Sequence, residues 1–224
     1  MQSRFTGSIA SGPAPRLDLA KKGLGRFTEE QVPENPKKGP FQTLLLNNNQ
    51  LTALYPAFAD KFVALRVVYL NNNELKTLPR ELCDVRTLVK LHVEHNRLRA
   101  LPADIGKLEH LKKLYAHNNE LKRLPVELGA LRELEVLSVA HNRLVELPVQ
   151  LLDCTALTEL TANNNPLLSP PPFVWRRGLD WIRLYLRERA VSADVELPDT
   201  PYVFHRHIEL SALRASAGGA KAKA

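Results

Sequence analysis

Long hydrophobic runs are missing from this sequence. No apolar stretch approaches the roughly 18 residues that a membrane-spanning helix needs, and no short apolar block follows a basic start as in a secretory signal. Cysteine is scarce, since only Cys83 and Cys154 occur, and neither stands in a spacing that would predict a disulfide framework or a zinc site. We therefore expect a chain that is not exported, that folds in a reducing compartment and that has no membrane contact.

Motifs of catalysis and nucleotide binding are missing as well. Gly23 and Gly25 lack the third glycine and the strand-to-helix context of a dinucleotide site. The sequence contains no Gly-x-x-x-x-Gly-Lys, Gly-x-Ser-x-Gly or His-Glu-x-x-His motif. The prediction is a protein that is not an enzyme, with no catalytic residues and no cofactor.

The net charge of +7 is concentrated at the two ends of the chain. The basic excess is +3 in residues 1–40, +1 in residues 41–164 and +3 in residues 165–224. A nearly neutral central part argues against a basic groove that tracks phosphates. Nucleic acid is thus an unexpected partner for the middle of the chain and a conceivable one for its basic tails.

A repeat dominates the centre of the sequence. Its pattern is Leu-x-x-Leu-x-Leu-x-x-Asn-x-Leu, with a spacing of 24 residues once and of 23 residues four times. The six units, numbered 1 to 6, begin at Phe41, Leu65, Leu88, Leu111, Leu134 and Leu157. Units 2 to 5 carry a Leu-Pro pair at positions 14 and 15: Leu78-Pro79, Leu101-Pro102, Leu124-Pro125 and Leu147-Pro148.

The residue types in the pattern indicate which positions of a unit face inward and which face outward. The alternation at positions 4 and 6 predicts a short strand with both apolar side chains turned inward, so positions 3, 5, 7 and 8 face out. An inward Asn at position 9 would satisfy backbone groups in the turn after each strand. The sequence therefore predicts a buried, structural ladder formed by Asn49, Asn73, Asn96, Asn119, Asn142 and Asn165.

These units resemble the leucine-rich repeat family, and the 23-residue length with Leu-Pro in the second half is similar to the Ras-group intracellular type of scribble, erbin and the Ras-suppressor proteins. The resemblance covers residues 41–167. It implies an α/β solenoid, a horseshoe arc with a concave parallel β-sheet, an irregular or 3-10 convex side and a C-terminal capping helix. It also implies roles in intracellular signalling or scaffolding.

The ends of a solenoid need caps, and the flanking sequence departs from the repeat accordingly. We predict a flexible segment at 1–13, a degenerate N-terminal capping repeat at 14–40 and six repeats at 41–172. A capping helix over 173–190 and an extended basic tail over 191–224 complete this division.

The outward positions of the middle units are the candidate partner-binding site. Aromatic side chains at position 5 are edged by lysines and by polar and imidazole groups, a composition that protein interfaces favour. The predicted site residues are Tyr69, Lys90, His92, Glu94, His95, Lys113, Tyr115, His117 and His141. Exposed Tyr also suits a strand for its β propensity, so a merely solvated face is the alternative.

Two histidines of this set, His95 and His141, lie two strands apart. This separation is about 10 Å and too far for one ion, so no metal site is predicted.

The predicted function is a non-enzymatic scaffold module that binds a partner protein, one with an acidic and apolar segment, in the cytoplasm. A mitochondrial location is the alternative for the N-terminal sequence. The alternative function is a structural subunit of a large ribonucleoprotein or axonemal assembly, anchored by its basic termini.

Overall fold

The structure is a computed structural model that describes residues 14–33, 40–55 and 58–191. The predicted flexible segment at 1–13 and the basic tail beyond Val191 lie outside these described residues. The division of the chain into capping and repeat segments stays a prediction.

Seven short parallel strands form one sheet in which the order along the sheet is the order along the chain. Each strand is only three residues long, because the residues that follow turn away from the sheet. The strands are β1 Arg16–Asp18, β2 Thr43–Leu45, β3 Val67–Tyr69, β4 Lys90–His92, β5 Lys113–Tyr115, β6 Val136–Ser138 and β7 Glu159–Thr161. This arrangement confirms the predicted solenoid with a parallel sheet on its concave side.

The register of the sheet places equivalent repeat positions side by side. Position 5 of one unit pairs with position 5 of the next, as in Tyr69 with His92 and His92 with Tyr115. Because side chains alternate along a strand, the position-4 side chains point into the core, and they are fully buried at Val68 and Leu91. Each such valine or leucine side chain contributes about 1.5–3 kcal/mol through the apolar surface that it removes from water.

The return segments on the opposite side follow from the Leu-Pro pairs. Proline has a fixed φ and no N–H to donate, so it suits the residue just before a helical turn. Pro79, for example, has φ −65° and ψ 140° and caps the 3-10 helix Arg80–Asp84. Equivalent 3-10 helices follow in the next three units at Ala103–Lys107, Val126–Ala130 and Val149–Asp153. Unit 1 has no Leu-Pro pair, and its return segment contains the short helix α1, Phe58–Lys61, instead.

Two glycines allow neighbouring 3-10 helices to pack closely. A Cβ added at Gly106 would lie 2.7 Å from the backbone oxygen of Glu127, and one at Gly129 would lie 2.7 Å from that of Gln150. Both distances are shorter than any real Cβ contact, so these positions accept only glycine at the observed spacing of the coils.

The C-terminal end is covered by helices, as predicted, but the predicted helix over 173–190 is divided. Helix α2 spans Pro172–Trp175 and α3 spans Leu179–Val191, because Gly178 adopts a φ of +89° between them. Ile182 and Leu186 are buried against the last units, whereas Leu179 is only partly buried. These side chains keep the apolar core of unit 6 from water.

Candidate functional site

We call the sheet surface formed by positions 3, 5, 7 and 8 of the six units the concave face. Its centre is a stack of three rings at position 5, in which His92 lies between Tyr69 and Tyr115. The ring centroids are 4.5 Å apart on both sides of His92, with interplanar angles of 19° and 18°. The spacing follows from the sheet, whose strands lie about 4.8 Å apart.

The stack determines what a partner can touch. The rings cover one another's inner faces, so all three side chains are partly buried and present mainly their edges to solvent. Aromatic pairs of this kind contribute about 0.5–1.5 kcal/mol beyond their buried area. Tyr69 and Tyr115 therefore stabilise the sheet as well as offering a surface.

Two lysines lie directly beside each other along the same face. Lys90 pairs with Lys113 in the register of β4 and β5, at position 3. Among the described lysines, ion pairs within 4.0 Å involve Lys61, Lys107 and Lys112, but neither of these two. Like charges opposite each other on neighbouring strands destabilise a sheet. The repulsion between Lys90 and Lys113 would be relieved by an anionic group of a bound partner.

Glu94, at position 7, lies on the concave face but is largely shielded from solvent. Its side chain is only 12% exposed, and its Oε1 lies 3.3 Å from Nδ1 of His92. Its Oε2 is buried and makes no hydrogen bond within the described residues, and the same holds for Oδ1 of Asn47 and of Asn71 at the equivalent position of units 1 and 2. The side-chain oxygens at position 7 of units 1 to 3 are therefore partly covered, although this position lies on the concave face.

Position 8 has a backbone requirement that the pattern did not show. All six residues there have φ between 52° and 57°, in the left-handed region. Asn and His tolerate this region better than most residues, which explains the residues found at this position: Asn48, Asn72, His95, Asn118, His141 and Asn164. The predicted binding residues His95 and His141 therefore have a structural reason to be present, independent of any partner.

His117 is joined to the strands beside it by a chain of hydrogen bonds. Thr161 Oγ1 donates to Ser138 Oγ at 2.8 Å, and Ser138 Oγ lies 3.2 Å from Nδ1 of His117. Burial lowers the pKa of His117, while the Glu94 carboxylate raises it and the neighbouring imidazoles lower it further, so the net direction is downward. Its ring also contacts that of His95 edge to face, with centroids 5.5 Å apart. Ser138 and Thr161 were not predicted, although they continue the position-5 row of the stack.

The asparagines at position 9 turn inward and connect consecutive units. Asn96 is representative: its Oδ1 accepts from the N–H of Leu75 at 3.0 Å, and its Nδ2 donates to the carbonyls of Leu70 and Val93, both at 3.0 Å. The pattern recurs from Asn73 to Asn165. The four central asparagines are buried, whereas Asn49 and Asn165 at the ends are only partly so.

The remaining reactive groups are not placed for chemistry. Cys83 and Cys154 are buried, and burial raises the pKa of their thiols to about 12 and about 11. In the described part of the chain, no three His, Cys, Asp or Glu side chains come together as a metal site would require. The described helices include none that is both long and apolar enough to span a bilayer.

The sequence of this chain matches a family of repeats, and its fold is similar to those of solved structures. The family model described as leucine rich repeat matches residues 41–98 and 86–144. The LRR ectodomain of the plant membrane receptor kinase GASSHO1/SCHENGEN3 from Arabidopsis thaliana, in complex with CASPARIAN STRIP INTEGRITY FACTOR 2, is 29% identical with a TM-score of 0.52. The plant peptide hormone receptor RGFR1, in complex with RGF2, is 30% identical with a TM-score of 0.52. An internalin from Listeria monocytogenes, 22% identical with a TM-score of 0.51, shares the fold.

Each of these three similarities covers 57% of this chain. The chain in turn covers only 16%, 21% and 36% of the three solved chains, in the same order. No curated protein matches the sequence.

Proposed function

This chain is a leucine-rich repeat protein, and from that premise we propose that it binds a partner protein on its concave face. The observation that carries the proposal is the pair Lys90 and Lys113, adjacent and without counter-ions among the described residues, beside the ring stack. Two similar solved structures are plant receptors in complex with another molecule, which supports binding as the role of this fold.

The partner chemistry that fits this face is an acidic segment that also carries apolar side chains. Carboxylates would neutralise Lys90 and Lys113, and apolar groups would cover the edges of the rings at Tyr69, His92 and Tyr115. Binding without catalysis, in the cytoplasm and as a scaffold in intracellular signalling, is part of this proposal. The Leu-Pro pairs support the Ras-group intracellular type, which likewise remains a prediction.

The test reverses charge at the lysine pair and leaves the ring stack intact. Lys90→Glu with Lys113→Glu should abolish capture of the proteins that wild-type protein retains from a lysate, as measured by quantitative mass spectrometry. The matched control is Lys76→Glu with Lys122→Glu, an equal change of charge at exposed position-12 residues outside the concave face. Proteins lost from both variants, or lost only from the control, would place the binding surface elsewhere.

The second candidate function is a structural subunit of a large assembly, favoured by the basic last segment, residues 210–224, which contains Arg214, Lys221 and Lys223 and no acidic residue. A chain shortened to residues 1–209 separates the two candidates. A protein that binds through its concave face retains its partners after this truncation. A subunit anchored by its tail loses its partners on truncation but keeps them in the lysine variants.

A further inference from the structure

Histidine replaces asparagine at selected places on the concave face. Positions 7 and 8 are both Asn in units 1, 2 and 6. In units 3, 4 and 5 one of these two positions is a histidine: His95, His117 and His141. Asn and His both tolerate the left-handed backbone of position 8, so backbone geometry does not select His over Asn there. What distinguishes the two residue types is that His gains a charge between about pH 5 and 8.

Each of the three imidazoles has a ring nitrogen beside a polar neighbour from the adjacent unit. Asn118 Nδ2 lies 3.4 Å from Nε2 of His95, and Asn164 Nδ2 lies 3.0 Å from Nε2 of His141. An amide Nδ2 can only donate, so in both contacts the ring nitrogen accepts. A protonated imidazole has two N–H groups and only donates, so protonation replaces these contacts and turns both rings into donors.

His117 receives its contact from a hydroxyl group. Because Thr161 donates to Ser138 Oγ, the hydroxyl proton of Ser138 remains available to Nδ1 of His117. The groups that act on His117 from the neighbouring coils are Glu94, which is anionic, and the imidazoles of units 3 and 5. Burial and these imidazoles outweigh the carboxylate, and they hold the pKa of His117 below its usual value.

The charge of this surface depends on the protonation of these imidazoles. With the imidazoles neutral, the charged residues of the concave face are Lys90 and Lys113 and, with the opposite sign and not in contact with them, Glu94 and Glu159. The concave face then carries little net charge. Protonation of three imidazoles on consecutive units adds three positive charges within about 10 Å, the distance across two strand spacings.

We propose that the concave face is a proton-dependent binding surface, which takes up protons at His95, His117 and His141 when it binds an acidic protein segment and which binds that segment more tightly below about pH 6. This inference rests on the function proposed above and specifies its regulation. The direction follows from linkage: protons that favour the complex bind to the complex more strongly than to the free protein.

The experiment uses a fluorescent random copolymer of glutamate and tyrosine as the acidic and aromatic probe. A lysine–tyrosine copolymer, of the opposite charge, serves as the control. Wild-type protein should bind the glutamate copolymer about tenfold more tightly at about pH 5.5 than at about pH 7.5, because glutamate stays ionised over this range whereas histidine as a residue type gains its charge within it. Binding of the lysine copolymer should weaken over the same change.

The matched variant is the triple substitution His95→Asn, His117→Asn and His141→Asn. It installs at each position the residue that other units of this chain already carry there, so backbone compatibility is retained. The triple variant should lose the tenfold gain, so that its dissociation constants for the glutamate copolymer at the two pH values differ by less than about twofold, whatever its affinity at about pH 7.5. If its melting temperature falls far below that of wild-type protein, the double variant His95→Asn with His141→Asn replaces it, with a partial loss of the gain expected.

The outcomes separate this inference from the proposed function. If wild-type protein binds the glutamate copolymer at neither pH, the proposed partner chemistry fails and the inference fails with it. Binding that is equal at the two pH values overturns the inference alone. Retention of the full pH dependence by a folded triple variant also overturns it, because the protons would then be taken up elsewhere.

Discussion

Replacing Asn119 by alanine should be among the most destabilising single changes in the repeats. The side chain is buried between units 3 and 4, where its Oδ1 accepts from the N–H of Leu98 at 2.9 Å. Its Nδ2 donates to the carbonyls of Val93 at 3.0 Å and of Ala116 at 3.2 Å. Alanine removes all of these bonds without giving water a path to the groups left behind.

The size of the effect depends on which groups keep another partner. The carbonyl of Val93 still accepts from Nδ2 of Asn96 at 3.0 Å, and that of Ala116 still accepts from Nδ2 of Asn142 at 3.0 Å. Only the buried N–H of Leu98 loses the one side-chain acceptor that it has. An unsatisfied buried donor costs about 1–3 kcal/mol, and the lost packing of the amide adds to this, so we expect a loss of about 2–3 kcal/mol in unfolding free energy.

Urea unfolding followed by circular dichroism measures this loss, and an unchanged m value would show that the folded and unfolded states remain comparable. For a domain of this size, about 2–4 °C in melting temperature corresponds to 1 kcal/mol, so the midpoint should fall by about 4–12 °C.

The adjacent residue provides the control. Asn118 points outward and has a φ of +54°, a conformation that glycine adopts freely. Asn118→Gly should therefore change the unfolding free energy by less than about 0.5 kcal/mol, whereas Asn118→Ala should cost about 1 kcal/mol through backbone strain alone. Equal losses for Asn119→Ala and Asn118→Gly would refute the assignment of the inward asparagine as the structural one.

Gly129→Val should cost about 1–3 kcal/mol, because the new side chain would collide with the backbone at Gln150, while Gly25→Ala, in open space, should be nearly neutral in the same denaturation assay. Cys83 and Cys154 should not react with a thiol reagent at about pH 8 until the protein is unfolded, because the buried thiols stay protonated. Since burial raises both pKa values, to about 12 and about 11, their effect on stability should be fully present below about pH 8.5 and be lost as the pH rises towards those values.

The solenoid could be predicted because the same residue pattern recurs in each unit of the sequence. One unit with an alternation such as Leu91 and Val93 would not distinguish a strand from other short apolar segments. Six units in one register exclude coincidence, and a unit of 23 residues that buries one apolar face must stack on its neighbours. The inward orientation of Asn96 follows from the same register, because Asn96 occupies position 9, directly after the outward positions 7 and 8.

The candidate site was predicted only as a list of outward residues. Glu94 proved to be mostly shielded from solvent, with its carboxylate beside the imidazole of His92 on the same face. His95 and His141 proved to lie at a left-handed backbone position, a local property that no periodicity of apolar residues reports. The helix expected over 173–190 was divided at Gly178, since the apolar pattern continues through a turn as easily as through a helix.

The sequence by itself determined the repeat period, the residues that turn inward and the asparagine ladder, because each depends on spacing along the chain, which the residues display directly. The tertiary structure alone decided how outward side chains of different units meet. Tyr69, His92 and Tyr115 are separated by 23 residues from one to the next, and they form a stack with 4.5 Å between ring centroids only because parallel strands bring equal positions side by side. Contacts between units, and with them the charge and hydrogen bonding of the concave face, arise from that packing distance rather than from any single segment of the chain.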